Sequence, residues 1–141
     1  MFVKTIQIET KKYVDFYVIS DEVRKIVEES KILNGLVTVI TKHTTTAITV
    51  NEALECLQSD IEVFLSSLVK EDAPYSHARM LKDYGSTAGN PTGHLKSLLV
   101  GNHCHFILEN GVIEKGDAQD VFFCEFDGPS KRTIMVLVEG K

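Results

Sequence analysis

The amino-acid sequence predicts an α+β domain whose sheet is mostly antiparallel. Short alternating or β-branched segments follow one another in runs, whereas a parallel sheet would require a helix after each strand. Two other segments carry apolar residues three or four positions apart, which is the spacing of an amphipathic helix. The chain has 141 residues, the length of one domain, and we therefore predict a single domain over residues 1–141.

The predicted strands follow from local residue choice. Residues 2–9 alternate, residues 13–19 are rich in β-branched and aromatic side chains, and polar residues join them, so the two segments predict a hairpin. Asn110-Gly111 is the strongest hairpin-turn signal in the chain. Further strands are predicted at residues 36–40, 41–50, 103–109, 112–113, 121–126 and 133–139.

Two helices are predicted from apolar periodicity and end signals. The first begins at Ser20 or Asp21 and ends at Asn34-Gly35. The second covers residues 52–70, and Asn51 is its expected N-cap. Residues 71–93 follow as the longest segment without a regular period, and compact domains rarely carry such a loop unless it has a function.

Composition argues against several classes of protein. The net charge of −5 lacks the basic excess of a general nucleic-acid-binding protein, although a local anion site remains compatible with it. No apolar run approaches the ~18 residues of a membrane-spanning helix, and the charged start does not resemble a signal peptide. Cys56, Cys104 and Cys124 are an odd number of thiols without C-x-x-C spacing, which predicts reduced cysteines and a cytoplasmic protein.

Three of the five histidines lie where the predicted structure changes. His43 follows a strand beside three threonines, and His77 and His94 lie towards the two ends of the irregular segment. Three imidazoles around one zinc ion, with the fourth position open, form a catalytic type of metal site. His103 and His105 are a second candidate, because residues two apart on a strand share a face and could bind one ion. The alternative is surface or core histidines bonded to the backbone.

Hydroxyl groups follow the first of these histidines and suggest an anion site. Thr44 and Thr45 could donate to phosphate oxygens, and Asn51 stands at a predicted helix N-terminus, which favours an anion through its free N–H groups. Lys96 and Ser97 could meet the same phosphate. The alternative is that the threonines reflect strand propensity, Asn51 is a cap and the lysine is solvated.

Glu125 and Asp127 are two carboxylates at the end of a predicted strand. Their spacing places them on one face, where a close pair could hold a cation or share a proton. The same residues also fit an exposed strand end that enters a turn, since Gly128 and Pro129 follow. Both interpretations stay open at this point.

Three blocks of sequence resemble those of the YjbQ-like proteins, also called the secondary thiamine-phosphate synthase enzyme family. Residues 43–52 are similar to its H-T-T-x-A/G-I/L-T-I/V-N-E block, and residues 93–101 are similar to its A-H-L/I-K-S-x-L-x-G block. Residues 123–129 resemble its Y/F-x-C/A-E-F-D-G-P block. His77 and Asn90 stand where the family's long segment carries a histidine and an asparagine. The blocks agree in order and separation over nearly the whole chain.

The resemblance implies a seven-stranded β-sandwich with two helices, assembled into homotrimers about a threefold axis. It implies a divalent metal ion, with zinc expected, at His43, His77 and His94, and it implies site roles for His43, Glu125 and Asp127. Residues that would bind a small phosphorylated substrate are Thr44, Thr45, Asn51, Lys96, Ser97 and Gln119. The reaction named for the family joins hydroxymethylpyrimidine diphosphate to thiazole phosphate and releases pyrophosphate. Asp83 is a further match to the family pattern.

The chain departs from the family pattern at two places. The family commonly carries G-T-W-Q before its E-F-D-G block, but residues 116–119 are Gly-Asp-Ala-Gln and the chain has no tryptophan. Gln119 is kept, while the stacking surface of the tryptophan is missing. The family's arginine after the proline is Ser130 here, followed by Lys131 and Arg132. We therefore do not assume the same substrate.

Two functions from different classes fit these observations. The first is a metal-dependent enzyme that acts on a small phosphorylated or anionic substrate, with thiamine-phosphate-synthase-like side activity. The second is a trimeric module that binds a metal or an anion without turnover. Both predict a homotrimer and a small-molecule partner, and neither predicts a nucleic-acid or membrane partner.

Overall fold

The computed structural model describes residues 1–79 and 90–141, which form two antiparallel sheets and the helices beside them. The strands are β1 Phe2–Glu9, β2 Asp15–Val18, β3 Gly35–Thr41, β4 Thr46–Asn51, β5 His103–Glu109, β6 Val112–Glu114, β7 Asp120–Glu125 and β8 Lys131–Gly140. The helices are α1 Ser20–Ser30, α2 Glu55–Leu68, α3 Ser76–Arg79 and α4 Pro91–Val100. Asp83, which was matched to the family pattern, lies outside the described residues.

The strands form a five-stranded sheet in the order β1-β8-β3-β5-β6 and a three-stranded sheet in the order β2-β7-β4. Each of these pairings is antiparallel, so the predicted α+β class and antiparallel sheets are confirmed. The described strands number eight, one more than the resemblance implied, because the short β6 adds to the edge of the larger sheet.

The predicted hairpin of residues 2–9 and 13–19 is wrong. β1 pairs with β8 and β2 pairs with β7, so these neighbours in sequence belong to different sheets. The polar link between them lets the chain pass from one sheet to the other, and Thr10 N donates to Ser130 O at 2.8 Å to extend the β1–β8 ladder. By contrast, Asn110 and Gly111 do form the predicted β5–β6 turn, with φ of 53° and 79°.

The main core lies between the two sheets. Its buried side chains include Val37 and Val39 of β3, Ile134 and Val136 of β8, and Phe123 of β7. Helix α1 adds apolar residues to the same cluster. The opposite face of β7 packs in a second cluster that includes a leucine of α2. Strand β7 is therefore covered on both faces, which explains its nearly continuous apolar sequence.

The helix boundaries differ from the sequence prediction because strand pairing and turn geometry prevail. Helix α1 ends at Ser30, where Lys31 adopts a left-handed conformation. Asn51 is not the N-cap of α2, since the β4–β7 ladder extends to Asn51 and the cap position is Leu54. Helix α4, which no apolar period predicted, begins at Pro91 inside the irregular segment and continues beyond it to Val100. Along residues 1–79 and 90–141, none of the helices has the length and apolar content needed to cross a bilayer.

Helix α4 packs closely against the ends of the three-stranded sheet. A Cβ atom on Gly93 would lie 3.0 Å from the carbonyl oxygen of Phe126 and 3.2 Å from Cβ of Thr45. Ser97 Oγ donates to the carbonyl oxygen of Thr46 at 2.5 Å. These two contacts fix the helix on the loop before β4 and the residues after β7.

Replacing Gly93 with alanine should destabilise the protein. The new methyl group would press on a backbone oxygen, and such overpacking costs ~1–3 kcal/mol, while the gain in helix propensity offsets ~1 kcal/mol. We expect a lower free energy of unfolding in urea titrations. Gly116→Ala is the matched control, because a Cβ atom there would meet only the side chain of Gln119, at 3.5 Å, and it should lower the free energy of unfolding by less than ~0.5 kcal/mol. A Gly93→Ala protein as stable as the wild type would contradict this close packing.

Candidate functional site

Glu125 and Arg132 form a buried ion pair between the two sheets, at one end of the core. Arg132 Nε donates to Glu125 Oε1 and Arg132 Nη2 donates to Glu125 Oε2, each at 2.8 Å. Glu125 is 0% exposed and Arg132 is 8% exposed. Thr10 Oγ1 donates to Oε1 at 2.7 Å, and the backbone N–H of Asp127 donates to Oε2 at 3.2 Å. The carboxylate therefore has two donors on each oxygen.

This pair gives Glu125 a positioning part in the site. Its predicted direct role in chemistry would require the pair with Arg132 to open. Arg132 Nη2 also donates to Thr45 Oγ1 at 3.0 Å, so the pair ties β7 and β8 to the residue before β4. Thr45 is buried, and because its oxygen accepts in this bond, the bond does not use the O–H that its predicted part as an anion donor requires.

His43 is held by the backbone of β8 in a defined tautomer. The backbone N–H of Thr133 donates to Nε2 of His43 at 2.8 Å, so in the neutral ring the proton lies on Nδ1. Burial lowers the pKa of His43, Arg132 and Lys42 lower it further, and Glu125 acts in the opposite direction. His43 is therefore neutral at pH 7 and has an N–H at Nδ1 to offer a ligand.

A hydrogen-bonded chain runs from Asp127 to the other two histidines of the predicted site. Asn90 Nδ2 donates to Asp127 Oδ2 at 2.7 Å. His77 Nε2 lies 2.8 Å from Asn90 Oδ1, and because that oxygen accepts, His77 carries its proton on Nε2. The rings of His77 and His94 pack edge to face with centroids 5.2 Å apart. Asp127 thus orients His77 through Asn90, and His77 supports His94.

The geometry does not fit a three-histidine metal centre. Within residues 1–79 and 90–141, no group of three or more His, Cys, Asp and Glu side chains is arranged to hold a metal ion. A metal ligand needs a free lone pair, but Nε2 of His43 accepts from Thr133 and Nδ1 carries the proton. We therefore derive no step through a metal at His43, His77 and His94, and the binding of zinc by this protein stays a prediction.

A cavity of about 520 Å³ opens between the loop after β3 and helix α4. Its polar lining includes Lys42, His43, Thr44, His94 and Asn102. Among the described residues that line it, none is an aspartate or a glutamate. A second cavity of about 440 Å³ is lined in part by His77 and His94, so His94 borders both.

Lys96 does not line either of these two cavities and faces a different partner. It is 3% exposed, and its Nζ lies 3.6 Å from Glu71 Oε1. Glu71 also accepts hydrogen bonds from the hydroxyl of Tyr13, at 3.2 Å, and from Thr92 Oγ1, at 3.3 Å. The predicted contact of Lys96 with a substrate phosphate would therefore compete with Glu71.

Asn51 and Gln119 lie at the other end of the three-stranded sheet from this site. Asn51 pairs with Asp120, whereas Thr46 pairs with Glu125, and the five-residue difference corresponds to roughly 16 Å along the strand. The side chain of Gln119 accepts from the backbone N–H of a nearby glycine in its own turn, at 2.7 Å. The structure therefore brings together His43, Thr44, His94 and Ser97, but not Asn51 and Gln119.

Arg132 is a site residue that the sequence analysis did not assign, as are Lys42 and Asn102 of the cavity lining. A signal was present, because Arg132 stands two residues before Ile134 and four before Val136, both buried on the inner face of β8. The period of two therefore directs Arg132 inward as well. A buried arginine requires an acidic partner, and Glu125 is the acid on the inner face of β7, in the sheet that packs against the sheet of β8.

The chain matches the family model described as UPF0047 protein, YjbQ-like, over residues 4–141. The protein belongs to this family. It is 36% identical over 137 residues to the UPF0047 protein YugU of Bacillus subtilis, covering 97% of this chain and 98% of that protein. It is 34% identical over 141 residues to a UPF0047 protein of Methanothermobacter thermautotrophicus, covering 100% of this chain and 94% of that protein.

Solved structures of YjbQ-like proteins share the fold. A hypothetical protein of Aeropyrum pernix is 29% identical with a TM-score of 0.91, and the match covers 100% of both chains. A YbjQ-like protein of unknown function from Sulfolobus solfataricus is 30% identical with a TM-score of 0.87, covering 96% of this chain and 94% of that one. The resemblance drawn from the three sequence blocks is confirmed for both family and fold.

Arg132→Met should be strongly destabilising because it leaves the buried carboxylate of Glu125 without its counter-charge. Loss of one partner of a buried pair costs about 3–5 kcal/mol, to be measured by urea unfolding at neutral pH. Arg24 makes exposed ion pairs, so Arg24→Met is the control and should cost less than ~1 kcal/mol. Adding Glu125→Gln to Arg132→Met should recover part of the loss. Equal effects of the two arginine variants would contradict the buried pair.

Stability should also depend on pH through His43. Because its pKa is lowered in the folded protein, the unfolded chain binds more protons in mild acid, so the free energy of unfolding should fall as pH drops below about 6.5. His43→Gln keeps an acceptor for Thr133 and should remove this part of the pH dependence. Urea unfolding between about pH 5 and 8 measures it, with Thr44→Val as a neighbouring control without a titratable group. An unaltered pH profile in His43→Gln would count against a half-buried, neutral imidazole at this position.

Proposed function

We propose that this protein binds a small phosphorylated molecule in the cavity beside His43 and His94 and acts on it as an enzyme. The observation that carries the proposal is the lining of that cavity, which has a lysine, two histidines and hydroxyl groups but no carboxylate among the described residues. The whole chain has a net charge of −5, so this local exclusion of acidic groups favours an anionic ligand.

Four polar side chains of the cavity have a part in the proposal. Lys42 and Thr44 are exposed and can contact phosphate oxygens, and the Nδ1–H of His43 donates to the same group. His94 has no hydrogen-bond partner for its ring nitrogens among the described residues, and His77 packs against it. An imidazole placed in this way can act as a general acid.

The resemblance supplies the reaction class, transfer of a pyrimidine group from a diphosphate to a thiazole phosphate. The C–O bond to the diphosphate breaks, and its electron pair leaves with pyrophosphate. The lone pair of the thiazole nitrogen forms the new C–N bond. Lys42 and the N–H of His43 stabilise the charge that develops on the departing pyrophosphate, and His94 gives it a proton. We propose this as a side activity of the site.

A binding module without turnover is the second candidate, and the state of the carboxylates favours it. Both oxygens of Glu125 already accept hydrogen bonds, and Oδ2 of Asp127 accepts from Asn90. The two acids that the sequence suggested for chemistry are thus occupied in holding the structure. A module would still bind the phosphorylated molecule through Lys42 and His43.

A homotrimer is part of both proposals. Exposed apolar side chains cluster on α2 and α4, with Val63, Phe64, Leu68, Leu98 and Leu99 each between 54% and 77% exposed. Apolar surface of this kind is typical of an interface between subunits. Leu98 also lines the cavity beside His94, so the proposed interface would border the proposed site.

Titration of pyrophosphate into the protein, followed by calorimetry, tests the anion site. Lys42→Gln removes a charged contact and should weaken binding about tenfold or more. Lys25→Gln makes the same change of charge at an exposed position on α1 and should leave affinity within about twofold. Equal loss in both variants, or no binding of pyrophosphate to the wild type, would overturn the proposal. Light scattering of the same samples measures the number of subunits.

An assay of thiamine phosphate formation from hydroxymethylpyrimidine diphosphate and thiazole phosphate separates the two candidates. If the protein is an enzyme, the wild type forms product, and His94→Asn should keep pyrophosphate binding while the rate falls about 100-fold or more. Pyrophosphate binding with no product would favour the module over this reaction.

A further inference from the structure

A second pair of histidines lies on the outer face of the five-stranded sheet. His103 and His105 are both exposed on β5, and their rings pack edge to face with centroids 4.9 Å apart. Neither residue lines the proposed anion cavity. Cys104, between them, projects to the opposite face of β5 and packs on the core, so it is not on the face that carries the two histidines.

Both rings are oriented through Nδ1. His103 Nδ1 lies 2.7 Å from Asn102 Oδ1, and because that oxygen only accepts, Nδ1 carries the proton. His105 Nδ1 lies 2.9 Å from Thr38 Oγ1, a hydroxyl that can accept in the same way. Each Nε2 then keeps its lone pair, and neither has a hydrogen-bond partner in the part of the chain that the structure describes. Metal-binding histidines are commonly oriented by such a bond from the other ring nitrogen.

The separation of the rings also suits one shared ion. A metal about 2.0–2.1 Å from Nε2 lies roughly 3.2 Å from the ring centroid. When the angle between the two Nε2 ligands at the metal is between roughly 90° and 109°, the ring centroids therefore lie about 4.5–5.2 Å apart. The observed separation of 4.9 Å falls within this range.

We propose that His103 and His105 form a binding site for one divalent transition metal ion, with water completing its coordination. Two imidazoles without a carboxylate select Ni²⁺, Cu²⁺ or Zn²⁺ over Mg²⁺ and Ca²⁺, which prefer oxygen ligands. Asn102 orients His103 and also lines the proposed anion cavity, but neither of the two histidines lines that cavity, and the metal site does not depend on the proposed function.

Calorimetric titration of Ni²⁺ into the intact protein tests the site. We expect one Ni²⁺ per chain, and His103→Ala and His105→Ala should each weaken binding at least tenfold. Thr38→Val keeps both ligands but removes the hydroxyl that orients His105. It should therefore weaken Ni²⁺ binding about 10- to 100-fold. His77→Ala is the matched control and should leave Ni²⁺ affinity within twofold. Pyrophosphate binding should be unchanged in His105→Ala, which separates this site from the anion cavity.

Two outcomes would overturn the proposal. One is unchanged Ni²⁺ affinity in the double variant of His103 and His105. The other is loss of Ni²⁺ in His77→Ala with full binding in His105→Ala, which would assign the ion to the histidines beside α4. Diethylpyrocarbonate labelling of the wild type, read by mass spectrometry, checks the site without substitution. Ni²⁺ should protect His103 and His105 and leave the labelling of His77 unchanged.

Discussion

The buried pair of Glu125 and Arg132 is the interaction on which the candidate site depends. Two charges between apolar sheets are costly unless each is hydrogen-bonded, and here Thr10 and the backbone of Asp127 complete the pair. Among the described residues, no buried side-chain nitrogen or oxygen lacks a partner. The pair joins the end of β7 to the start of β8, so the segments that carry the site converge at this point.

Burial lowers the pKa of His43, Arg132 of the pair lowers it further, and Glu125 of the pair acts in the opposite direction. Arg132 places a positive charge near the imidazole, and the next residue along β8, Thr133, donates its backbone N–H to Nε2. The positive charge favours a neutral ring, and the bond from Thr133 places its proton on Nδ1. Arg132 and Thr133 at the start of β8 therefore stabilise the core and determine the tautomer of His43. In that tautomer His43 is a hydrogen-bond donor through Nδ1 rather than a metal ligand.

Helix α4 contributes His94 to the site. The position of the helix also keeps nearby carboxylates away from the cavity that His94 borders. Gly93 allows the helix to lie against the sheet ends, which places His94 between the two cavities. Asp127 is bonded to Asn90, and Glu71 lies beside the buried Lys96. These carboxylates are thus occupied away from the cavity that His43 and His94 border, although the chain as a whole is acidic.

Local sequence was sufficient for the α+β class, the Asn110-Gly111 hairpin and the family, because alternation, turn residues and short motifs are properties of neighbouring residues. It also pointed to His43 and His94, which the structure places at one cavity. Only the tertiary structure decided that β1 pairs with β8, that Asn51 continues a strand instead of capping a helix, and that Thr133 binds His43 from 90 residues away. These features depend on which distant segments pack against one another in the core. The spacing of residues along the chain does not show which distant segments are in contact.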